Sequence, residues 1–70
     1  MHSESELRRI MTKANALYVG LQEGTLARWY VLFRDATLNA STLALPVEQV
    51  TVEAVKAKLA ESRERFAKDA

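Results

Sequence analysis

Over the first part of the chain, apolar residues recur at three- and four-residue intervals. Leu7, Ile10, Met11, Ala14, Leu17 and Tyr18 make one continuous stripe. Arg8, Arg9, Thr12, Lys13 and Asn15 fall on the other side. This spacing predicts a helix over about residues 4–19. Ser3 followed three positions later by Glu6 forms a capping box at its start, and Gly20 is placed to end it. After a connector at residues 21–24, Thr25 is a good N-cap for a second helix over about 25–37. Leu26, Trp29, Tyr30 and Phe33 would form its main apolar face, with Val31 and Leu32 on other faces. A helix apolar most of the way round is buried on several sides. In so short a chain, that extra burial points to a second copy or a partner.

Residues 38–50 carry loop formers at Asn39, Ser41 and Thr42. Residues 43–47 read as extended, because the residue before Pro46 avoids the helical region. They are expected to form an apolar loop packed on the helices, with exchange between two protomers as a lesser alternative. A third helix is predicted over about 51–67, with Thr51 as its cap and Val50 and Val55 as a hydrophobic staple. Val52, Val55, Leu59 and Phe66 form its narrow apolar seam. Glu61–Arg65 and Glu64–Lys68 are four-residue ion pairs in the favourable order, and the tail at 67–70 is expected to fray. The resulting expectation is an all-α fold, with residues 1–70 as one small domain. It is a helical hairpin followed by a loop and a third helix, assembled as a homodimeric helical bundle.

Composition sharpens that picture. An apolar content of 49% is too high for a disordered chain. Seventy residues bury only about 60% of their unfolded surface, so a solitary monomer is marginal and oligomerisation is the expected remedy. Disulfides and thiolate metal sites are excluded because the chain has no cysteine. The single histidine, His2, cannot build a zinc site alone. Ten basic and nine acidic side chains are interspersed along the chain, so no segment carries the basic footprint of a nucleic-acid binder. No run approaches the ~20 apolar residues of a membrane span. The polar, acidic start is unlike a signal peptide, and a cytoplasmic location is expected. The Asn39-Ala40-Ser41 sequence fits a glycosylation pattern and reads here as loop chemistry.

Candidate chemistry is sparse. Catalysis requires titratable or nucleophilic groups converging in a cleft, and no nucleophile–base pair or glycine-rich phosphate loop is present. Glu61 and Glu64 read as surface ion-pair partners, since charged residues are almost always exposed. No enzymatic activity and no cofactor are expected.

Residues 16–29 resemble the core of helix-turn-helix DNA-binding domains. Ala16, Val19, Gly20, Leu21, Leu26 and Trp29 occupy the alanine, glycine and apolar places of that motif. The resemblance implies a DNA-binding regulator in which Gln22, Glu23, Thr25 and Arg28 face the duplex. The residues themselves favour a different reading. Trp, Tyr and Arg are the types that anchor protein interfaces, and Arg28, Trp29 and Tyr30 stand together, followed by Val31 and Leu32. The leading expectation is therefore a small regulatory protein that binds a larger protein through residues 28–32. It would dimerise through Val55, Leu59 and Phe66, with duplex DNA as the alternative ligand through Gln22, Thr25 and Arg28. No membrane partner is expected.

Overall fold

The computed structural model of the chain describes residues 3–69; His2 and Ala70, on which two of the sequence readings touch, lie outside them. The chain runs helix α1 (Glu4–Lys13), strand β1 (Ala16–Glu23), strand β2 (Trp29–Asp35), strand β3 (Leu43–Pro46) and helix α2 (Val52–Asp69). Short 3-10 turns at Thr25–Ala27 and Val47–Gln49 punctuate it. The strands form one antiparallel meander in the order β1-β2-β3. The fold is α+β, and this corrects the all-α helical bundle expected from the sequence.

The start of α1 follows its capping signal. The Ser3 hydroxyl accepts a hydrogen bond from the Glu6 amide at 3.3 Å. Its end does not follow the apolar stripe. The helix stops at Lys13, and Asn15 takes a left-handed conformation with φ of 62°. Asparagine tolerates that conformation better than most residues, so Asn15 turns the chain where Gly20 was expected to. From Ala16 the period changes from 3.6 to 2. Ala16 and Tyr18 pack toward the helices, whereas Leu17 faces away.

The segment expected as a second helix, 25–37, is a 3-10 turn followed by the central strand. Five consecutive apolar residues, Trp29 to Phe33, are aromatic, β-branched or leucine, which suits a pleated surface better than a helix. A strand with neighbours on both sides can be apolar on both faces, and this erases the alternation that would have revealed it. Val31 and Phe33 point into the core at 0% exposure, and Tyr30 and Leu32 point the other way. The extended reading of 43–47 becomes β3, which pairs Leu45 with Val31 and Leu43 with Phe33. The third helix is present as α2, and the Thr51 hydroxyl accepts the Ala54 amide at 3.0 Å.

Both helices cover the same face of the sheet. Leu7 and Met11 of α1 join Val55 and Leu59 of α2, Val31 and Phe33 of β2, and Val50 in one core cluster. The result is a plate of extents 36 × 26 × 17 Å, one helical layer on one sheet.

The two glycines differ in what the fold asks of them. A Cβ on Gly24 would lie 2.6 Å from the Tyr30 ring, so the close packing of that ring needs glycine. A Cβ on Gly20 would meet nothing within 4 Å, and its φ is not positive. Gly20→Ala is therefore expected to raise stability by about 0.5–1 kcal/mol, the usual cost of glycine within a strand, as measured by urea denaturation. Phe33→Ala should lose about 3–5 kcal/mol. That is comparable to the whole stability of a small domain, and circular dichroism should show it largely unfolded.

Candidate functional site

The sheet, whose longest strand of eight residues spans about 26 Å, is longer than the ten-residue α1 at about 15 Å. Toward the β1–β2 turn its helix-side face emerges as an open apolar groove of about 770 Å3. Leu21 and Trp29 supply the strand side of the groove, Leu7 the helix side, and Val47 the far wall. Trp29 lies two positions before Val31, so strand alternation places both on the same face. Glu4 and Glu48 stand on the rim together with Arg28. The Arg28 guanidinium is held by Glu48, with Nη2 at 2.7 Å and Nε at 2.9 Å from the same oxygen. That hydrogen bond raises the Arg28 pKa. Glu48 lies below its usual value through its own backbone amide first and Arg28 second.

Beside the groove, the β1–β2 turn projects Leu26 at 100% exposure. The turn is closed by the Gly24 amide donating to the Arg28 carbonyl at 2.6 Å. Leu26 and Ala27 both adopt left-handed conformations, with φ of 58° and 55°. For residues bearing a Cβ this costs about 1 kcal/mol or more each. Trp29 is 50% exposed and Leu21 is similarly open, so one end of the molecule gathers three large apolar side chains in contact with water.

The residues expected to bind protein are thereby divided. Arg28 and Trp29 line the groove. Tyr30 and Leu32 lie on the opposite face of the sheet, half-buried. Val31 is fully buried and belongs to the chain's own core. The expected dimer seam is divided in the same way. Val55 and Leu59 are buried beneath the sheet, and Phe66 alone of the three is exposed, over a shallow hollow with Leu43 and Ser62. Residues 16–29, which carry the helix-turn-helix resemblance, form β1, the turn and the start of β2. Gln22 lies in β1, Thr25 in the turn and Arg28 between turn and strand, so no single helix face presents them together. Val47 and Glu48 are not singled out by the sequence, and Leu21 enters there only as part of a connector and as an apolar place of the helix-turn-helix resemblance. Val47 and Glu48 acquire their place only when β3 brings them beside Arg28.

Two titratable clusters serve structure. The Tyr18 hydroxyl donates to Glu4 at 3.2 Å with Arg8 stacked 4.4 Å from the ring centre. Burial first, and Glu4 second, raise the Tyr18 pKa. Asp35 is the buried charge. Arg63 Nε donates to its Oδ2 at 2.5 Å, and the Thr37 amide and hydroxyl donate to Oδ1 at 2.7 and 2.6 Å. These bonds, Arg63 foremost, lower its pKa to about 2 against the desolvation that opposes them. Every oxygen of this carboxylate is occupied, so it pins the end of β2 to α2 and is not free to move a proton. Among the described residues, no group of three histidine, cysteine, aspartate or glutamate side chains is placed to hold a metal ion. No described helix is long and apolar enough to cross a membrane.

Comparison with known protein families, characterised proteins and solved structures returns no match to this chain.

Asp35 sets a pH dependence. Its folded pKa lies below the unfolded value of 3.8, so its stabilisation is fully present above that value and is lost as pH falls toward 2. Arg63 is partly solvated, so the contribution is expected to be about 1–2 kcal/mol. Between pH 5 and 2 the urea midpoint of the parent should fall more steeply than that of Asp35→Asn.

Proposed function

We propose that this chain is a non-enzymatic binding module that regulates a larger protein, which it engages with the end of the sheet bearing the β1–β2 turn. The observation that carries this reading is Leu26, fully exposed at the tip of a turn whose two left-handed residues are energetically costly. A solitary exposed leucine is ordinary. One held out by strained backbone, beside a half-exposed tryptophan and an apolar groove, makes a ridge and a socket of the kind that interface hot spots use.

Electrostatics favours protein over nucleic acid as the partner. Affinity for a duplex comes mainly from cations on phosphates. At this end, the positive charge of Arg28 is neutralised by Glu48, and Glu4 adds a second acid to the rim. A phosphate backbone would meet no net positive charge, since Glu4 is itself paired with Arg8, whereas an apolar segment of a protein would meet Leu21, Leu26 and Trp29.

Photo-crosslinking in expressing cells tests the reading. A photoreactive amino acid at position 26 should give a discrete adduct with another protein, and the same probe at Ala57 on the exposed side of α2 should not. Leu26→Asp and Trp29→Ala should each weaken binding to the captured protein by about thirty-fold or more, the scale of a hot-spot loss of ~2 kcal/mol, with the circular dichroism spectrum unchanged. Equal labelling from both positions would overturn the proposal. So would submicromolar, sequence-selective duplex binding at physiological salt that is abolished by Arg28→Ala.

A further inference from the structure

A three-stranded sheet leaves two edges, and here they differ. An unpaired edge is a template for another strand unless something blunts it. The hydrogen-bond ladder shows which backbone groups each edge offers. At one end of β1 the Gly24 amide donates to the Arg28 carbonyl, and at the other the Ala36 amide donates to the Asn15 carbonyl. Antiparallel pairs alternate between bonded and non-bonded. Leu17, Gly20 and Gln22 therefore direct their groups at β2, and Ala16, Tyr18, Leu21 and Glu23 turn theirs to the free side. The same alternation turns Ala44 and Pro46 outward on β3. That edge is blunted, because β3 is four residues long and Pro46 has no N–H. The β1 edge is eight residues long and contains no proline, lysine or arginine.

The bulge in β1 decides what fits this edge. Val19 is the extra residue, with no place in the register between Tyr18 and Gly20. It spaces the outward residues two, three and two apart, at 16, 18, 21 and 23. A regular strand presents its groups at every second residue. Such a strand matches Ala16 and Tyr18, or Leu21 and Glu23, but not both halves together. A second copy of β1 matches all of them, because the spacing reads the same from either end about the point between Val19 and Gly20. We propose that two copies of this chain pair antiparallel through their β1 edges, about a two-fold axis normal to the sheet at that point. Tyr18 then exchanges both backbone hydrogen bonds with the partner's Leu21, and Ala16 with the partner's Glu23. Each contact occurs twice, as a self-complementary interface demands.

The side chains agree with this register. Leu17, Val19 and Leu21, all on this one strand, are 43%, 50% and 42% exposed. In the pair, Leu21 comes beside the partner's Tyr18, an aromatic–aliphatic neighbour of the kind that stabilises sheets. The single charge of the strand, Glu23, falls opposite the partner's Ala16 and meets no like charge. Glu4 and Arg8, which hold the Tyr18 ring, compensate each other beside it. Main-chain bonds carry this association more than buried area does, as in strand addition generally. The antiparallel arrangement points the two β1–β2 turns in opposite directions, so both copies keep Leu26 free.

Sedimentation equilibrium and amide hydrogen exchange of the full chain from about 10 µM to 1 mM, a range suited to weak association, test the proposal. The parent should pass from monomer toward dimer across that range. The Tyr18, Leu21 and Glu23 amides should exchange more slowly as it does, while the outward amide of Ala44 stays fast. A synthetic chain N-methylated at Leu21 loses only an outward N–H, and its dimerisation should weaken about tenfold or more. N-methylation at Ala44 should leave the dimer unchanged. Val19→Lys, which charges the edge near the axis, should weaken dimerisation as much with the urea midpoint of the monomer unchanged, which separates a lost contact from a lost fold. Leu26→Asp should leave the dimer intact, so this result stands apart from that of the docking end. A parent that remains monomeric at 1 mM overturns the proposal. So does a dimer that protects Ala44 instead of Leu21, or one insensitive to both Leu21 N-methylation and Val19→Lys.

Discussion

Val31 and Phe33 are the point at which every element of this protein meets. They lie on the middle strand, where Val31 pairs laterally with Leu21 and Leu45, and Phe33 with Tyr18 and Leu43. Leu7 and Met11 from one helix and Val55 and Leu59 from the other close over them. Among the described residues there is one sheet, one helical layer and one core cluster, so no second core compensates if this one loosens. Burial at about 25 cal/mol per Å2 of apolar surface is the main favourable term available to a chain without disulfides. The same constraint explains why Val31, Val55 and Leu59 are withdrawn from any external interface.

What the sequence reveals and what it hides follow from how local each signal is. The two helix starts were legible because a cap is a short-range device: Ser3 bonds to Glu6, and Thr51 to Ala54, within a single turn. The end of α1 was not legible, because Ala14, Leu17 and Tyr18 continue the helical spacing by coincidence after Asn15 has already turned the chain. The central strand was hidden for a different reason. A run that is apolar at every position contains no period, and Trp29 to Phe33 fits a buried helix as well as a buried strand. Pairing with β1 and β3 decides between them, and pairing is a long-range fact.

The candidate surface was partly legible for the same reason. Arg28 and Trp29 could be selected by residue type, and both reach the groove. Glu48 could not, since its partnership with Arg28 spans the whole of β2, the following loop and β3. The mid-strand glycine of β1 was visible in the sequence but read as punctuation. In the structure it marks the irregularity in the β1–β2 register between Tyr18 and Gly20, a feature that only strand pairing defines.

The order of the strands has a consequence for how the molecule comes to exist. Each strand pairs with the one next to it along the chain, across turns at residues 24–28 and 36–42. Closing such short loops costs little entropy, so the meander can assemble from local encounters on the timescale of hairpins, about microseconds. The two helices lie at opposite ends of the chain and must both reach Val31 and Phe33. Contact between them closes the largest loop in the molecule. A meander from which the helices are lifted exposes Val31 and Phe33 to water, so the two helices are also the cover that keeps this face of the sheet from other chains.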